Sequence, residues 1–111
     1  MSQAPTDYRP ALEAVERILN RGGHSDDVLR EVLNALHARG VAFGLVRFAA
    51  GDRFADGPSV GERTSALQTA VVFAGETVGV LELEVDDAQF AARVATLISP
   101  YVRSGRDMRG G

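Results

Sequence analysis

Apolar residues recur at two different spacings along the chain, and the switches between them divide it into helices and strands. From Pro10, a residue suited to the opening turn of a helix, Leu12, Val15, Ile18 and Leu19 share one helical face until Gly22-Gly23 stops the run. A second helix is expected to take Ser25 as its N-cap, with Asp26 and Asp27 in the first turn, where negative charge meets the positive end of the dipole. Its apolar stripe is Val28, Leu29, Val32, Leu33 and Leu36, and Gly40 ends it. Both helices are one-sided, so each must pack on another layer. The spacing then shortens. Residues 41–49 read as a strand, Ala50-Gly51-Asp52 as a turn and residues 53–55 as a short return strand. Residues 56–67, rich in Gly, Pro, Ser and Thr, read as a loop. Residues 68–85 are two apolar strands joined by a tight turn at Ala74-Gly75. An amphipathic helix follows from Asp86 or Asp87 to near Val102, where Pro100 should kink or terminate it.

These elements predict an α+β fold: a small antiparallel sheet with N-terminal and C-terminal helices packed on one face. Residues 9–103 form the domain, with flexible tails expected at 1–8 and 104–111. The pattern resembles a GAF domain that has been cut down. Residues 41–48, the turn at Gly75, Gly79-Val80-Leu81 and the terminal helix around Phe90, Val94, Leu97 and Ile98 carry the resemblance. Roadblock-type and profilin-like domains share a similar layout and stand as alternatives. The GAF resemblance implies a regulatory module of signalling proteins, but the chain departs from the family in three respects. GAF domains that hold cyclic nucleotides or tetrapyrroles usually roof the ligand with a longer run of strands and helices, which here shrinks to residues 56–67. Bilin attachment and methionine sulfoxide reductase activity both need cysteine, and the chain has none. The Asn-Lys-Phe-Asp-Glu signature associated with cyclic nucleotide binding is also missing.

Composition narrows the function classes. A hydrophobic fraction of 45% and a charged fraction of 24% over 111 residues suit one folded domain. The net charge of −3 argues against a nucleic-acid partner, which normally needs a basic face for phosphates. Without cysteine, neither disulfide nor thiolate chemistry is available. No apolar run approaches the roughly 18 residues of a membrane span, and the polar N-terminus lacks a signal-peptide core. The expectation is a cytoplasmic protein with no membrane or nucleic-acid partner.

Candidate chemistry is sparse. Gly57-Pro58-Ser59-Val60-Gly61 matches the nucleophile elbow G-x-S-x-G, which needs a strand before it, a helix after it and a later histidine. His24 and His37 both precede the serine, so the match reads as a loop, and neither histidine has a second ligand at metal spacing. His37, beside a helix C-terminus, suits the dipole when protonated. No metal, cofactor or enzymatic activity is expected.

Arg47, Glu82 and Glu84 interrupt otherwise apolar strands. In a GAF-like sheet the first strand lies beside the last, so alternation puts Phe43, Leu45 and Arg47 on one face with Val78, Val80, Glu82 and Glu84. These seven residues are the candidate ligand or partner face. Arg47 and a glutamate there read either as a shallow site or as a cross-strand ion pair, and the pair is the simpler reading. The apolar strip Phe43, Leu45, Val78 and Val80, with little chain left to cover it, points to a homodimer or another protein partner. The expected function is a non-catalytic GAF-like regulatory or dimerising interaction domain. The alternative is a sensor that binds a small ligand, weakly, between the open sheet face and the 56–67 loop.

Overall fold

In residues 8–108, which this computed structural model describes, the two apolar spacings resolve into three helices and four strands. The order is α1 (Arg9–Arg21), α2 (Ser25–Ala38), β1 (Gly44–Ala50), β2 (Arg53–Val60), β3 (Leu67–Phe73), β4 (Glu76–Leu83) and α3 (Ala88–Met108). The strands form one antiparallel sheet in the order β2-β1-β4-β3. Helix α2 packs on β2 and β1, and α3 packs on β3, β4 and β1, while α1 rests on α2 and α3. The helical stripes and the inward side of the sheet meet in one core that includes Leu29, Leu33, Leu36, Val46, Phe48, Leu81, Leu83, Val94 and Ile98, all buried. The fold is therefore α+β, with its helices on one face of the sheet.

Local chemistry explains most boundaries. Gly22, at φ 72°, closes α1 in a conformation that side chains disfavour. Ala74 and Gly75, at φ 52° and 81°, make the tight β3–β4 turn whose twist matches the flanking strands. Asp87 caps α3, its Oδ1 accepting from the N–H groups of Gln89 (3.0 Å) and Phe90 (3.1 Å).

Five expectations need correction. Ser25 is the first helical residue of α2 and not its cap; the hydroxyl is drawn inward to Met108 Sδ, 3.6 Å away, and His24 takes the cap position without a side-chain bond. Strand β1 begins at Gly44, because Val41 closes α2 by donating its N–H to the Leu36 carbonyl and then turns into the core. Strand β2 continues past Ala55 to Val60, so the loop spans only residues 61–66. Gly and Pro suggested a loop there, but an edge strand tolerates both. The β1–β2 register slips between Leu45–Ser59 and Arg47–Asp56, forming a bulge at Gly57-Pro58. A Cβ on Gly57 would stand 2.2 Å from the Phe48 ring, so this close approach requires glycine.

The fourth correction concerns α3, which runs through Pro100 to Met108. Proline has no N–H for the Thr96 carbonyl one turn earlier, and Ser99 Oγ donates to that carbonyl instead at 2.8 Å. The last turns are packed: Gly105 lies against Phe48, where a Cβ would stand 2.5 Å from the ring. Arg106 pairs with Glu76 at 3.1 Å, and this hydrogen-bonded carboxylate raises the guanidinium pKa further above its ordinary value. Residues 104–108 thus belong to a helix and not to a tail, while 1–7 and 109–111 lie outside the described residues. The fifth correction is Val78. The β3–β4 register shifts from Val71–Gly79 to Val72–Thr77, and the resulting bulge turns Val78 into the helix-side core.

Candidate functional site: the open sheet face

Register defines the face that the helices leave open. Leu45 pairs with Glu82 and Arg47 with Val80 across β1 and β4, while Gln68 and Ala70 of β3 flank Glu82 and Val80. On the other side, Asp56 of β2 is opposite Arg47 and Ser59 opposite Leu45. Six of the seven residues read from the sequence, Phe43, Leu45, Arg47, Val80, Glu82 and Glu84, keep the alternation of this face; Val78 does not.

The face is filled by its own side chains. Glu82 has a side chain only 4% exposed and faces two guanidinium groups, Arg47 Nη1 at 3.5 Å and Arg63 Nη1 at 3.4 Å. Arg47 Nε also lies 3.1 Å from Asp56 Oδ1. That N–H is not aimed at the oxygen, so the contact is an ion pair and the buried donor has no hydrogen bond among the described residues. Arg63 sits over the Phe43 ring, 5.5 Å from its centroid, and Thr64 donates to the Glu84 carboxylate. Residues 61–66 thereby hold polar groups over the strip. Phe43 and Leu45 are buried, each only 3% exposed, in contrast to the uncovered apolar strip expected from sequence.

Two positive and two negative side chains make the cluster neutral. Arg47 pairs with both Asp56 and Glu82, and Glu82, the deepest of the four, pairs with both arginines. Contacts among exposed charges contribute about 0.2–1 kcal/mol each, whereas stripping partners from a buried carboxylate costs several times more. Asp56, Arg63 and Thr64 were not among the expected site residues because their segment read as loop. The available signal was alternation: Phe54 and Asp56 take the outward positions opposite Ala49 and Arg47 once β2 is extended.

The other candidate groups stay apart. His37 Nδ1 donates to the Val41 carbonyl at 2.8 Å and so serves the α2–β1 connection. No cluster of three His, Asp or Glu side chains suited to a metal occurs among the described residues, and no described helix is long and apolar enough to cross a membrane. Ser59 lies on β2, with no helix after it for an elbow. A groove of about 400 Å³ opens away from this face, between the N-terminal ends of α1 and α3, where Tyr8 stacks on Phe90 at 4.3 Å.

Comparison with protein-family profiles and with curated proteins gives no match. Solved structures do match. The GAF domain from Acinetobacter phosphoenolpyruvate-protein phosphotransferase superposes with a TM-score of 0.69 at 11% identity, over 95% of this chain and 97% of that one. The fold is GAF-like. A second GAF domain, that of A. aeolicus NLH2 in an inactive state, gives a TM-score of 0.69 at 15% identity over 86% of this chain and 97% of its own. Each neighbour is covered over 97% of its own length.

Proposed function

We propose that this GAF-like domain is a non-catalytic regulatory module that works by protein association, pairing with a second copy of itself. The observation that carries the reading is the filled open face. Phe43 and Leu45 are buried, Arg63 lies over the Phe43 ring, and Glu82 is held by Arg47 and Arg63, so the space above the central strands is taken by the chain itself. A small molecule would have to displace that ion-pair cluster before it touched the sheet. The sensor reading, with its loop now shortened to 61–66, requires such a displacement. A regulatory GAF-like module whose open sheet face is filled acts through surface, and a cytoplasmic signalling protein is the setting the proposal implies.

The expected outcome is a homodimer at about 100 μM by light scattering, with a population that falls on dilution because association follows mass action. A mass that stays at one chain throughout that range rejects self-association.

A further inference from the structure

We infer that the outer edge of β3 is the surface on which a second copy of this chain docks, joining the two sheets through an antiparallel β3–β3 pair. The inference rests on the self-association proposed above and assigns it a place.

The two edges of the sheet are built differently. The β2 edge carries Arg53 and Asp56 and is bent by the bulge at Gly57-Pro58, and charge, proline and bulges all obstruct strand addition. The β3 strand itself has none of these, since the bulge in its ladder falls on β4 at Val78. Its sequence, Leu67-Gln68-Thr69-Ala70-Val71-Val72-Phe73, contains no charged residue, proline or glycine. Leu67 and Val72 are two of the large apolar side chains left exposed, at 37% and 48%.

The backbone groups available on that edge follow from the ladder. Glu84 N–H donates to the Phe43 carbonyl at 2.9 Å, so alternation makes Leu45–Glu82 and Arg47–Val80 the hydrogen-bonded pairs between β1 and β4. Leu83, Leu81 and Gly79 must then turn their amides and carbonyls to β3, where they face Leu67, Thr69 and Val71. The N–H and C=O groups of Gln68, Ala70 and Val72 are left pointing outward, and no described residue bonds to them.

An identical strand is a suitable occupant. With a two-fold axis at Ala70, Ala70 of each copy exchanges both hydrogen bonds with the other, and Gln68 lies opposite Val72. An uncharged strand can oppose itself in this way in any register without like-charge contacts, whereas the β2 edge is obstructed by Pro58 and its bulge. The two open faces would continue as one eight-stranded surface.

Ala70→Pro tests the assignment. It removes an outward N–H and leaves the β3–β4 bonds intact, since proline is tolerated where an edge N–H faces away from the sheet. The full chain and the variant are compared by sedimentation equilibrium at about 100 μM, where mass action favours the dimer. The expected result is a dimer for the wild type and the mass of one chain for Ala70→Pro, with circular dichroism melts confirming that the variant is folded. Val72→Lys, a surface change on the same edge, should also dissociate the dimer and decides the matter if Ala70→Pro does not fold. A wild-type dimer that persists in the folded variant overturns the edge assignment and leaves self-association intact. A monomeric wild type overturns both and leaves the edge to a foreign strand.

Discussion

Leu81→Ala should lower the unfolding free energy by about 2–5 kcal/mol, the range for emptying a buried leucine site. Leu81 is fully buried on the helix side of β4, opposite Val46 on β1 and Thr69 on β3, and belongs to the core that α3 covers. Loss of its isobutyl group removes apolar contacts and leaves a cavity that a sheet fixed on both sides cannot easily close. Glu84→Ala, three residues along the chain, is the contrast. Glu84 is exposed and its carboxylate is bonded only to the Thr64 hydroxyl in the described structure, so loss of the side chain should cost no more than about 0.5 kcal/mol, as for most surface changes. Urea melts of the two variants give the comparison. If Glu84→Ala proved the more damaging, the two faces of the sheet would have to be exchanged.

Gly105→Val should also be strongly destabilising, by about 3 kcal/mol, near the upper end of typical overpacking costs. The position lies in the part of α3 beyond Pro100, where its Cβ would stand 2.5 Å from Phe48 Cε1. Phe48 is fully buried and cannot retreat, because the opposite edge of its ring lies against Gly57, where a Cβ would stand 2.2 Å from Cε2. Valine is a slightly better helix former than glycine, by a few tenths of a kcal/mol, and this gain does not offset the clash. Ser104→Ala, on the exposed side of the same turn, supplies the control. Equal denaturation midpoints for Gly105→Val and wild type would mean that the chain beyond Val102 does not pack on the sheet.

These two positions illustrate what could be read from the sequence. The α2 stripe and the alternation of β4 around Leu81 were legible because each buries one face, which leaves a period in the sequence. The same alternation placed Arg47 beside Glu82. It failed at Val78, since a bulge changes the face of a residue without altering its type. Gly57-Pro58 and Pro100 misled in a related way. Residues that usually interrupt an element sit inside β2 and α3, the first as an edge-strand bulge and the second because Ser99 supplies the missing donor. Gly105 gave no local signal, as only its distant neighbour Phe48 requires it. Asp56 and Arg63 were missed for the same reason: their partners, Arg47 and Glu82, are remote in sequence, and their own segment read as loop.

In the function proposed above, the open face is closed by the chain's own side chains and the module works through association. Calorimetric titration with cyclic AMP, cyclic GMP and haem tests it most directly. Tight small-molecule sites bury roughly 70–90% of their ligand in a concave pocket, and here Phe43, Leu45 and Glu82 are already covered by Arg47, Arg63 and Thr64 or their neighbours. The expected result is no measurable heat of binding for any of the three at concentrations up to about 100 μM, which corresponds to less than about 5.5 kcal/mol of affinity. Micromolar binding of any one of them, abolished by Arg47→Ala, would contradict it and establish the domain as a small-molecule sensor.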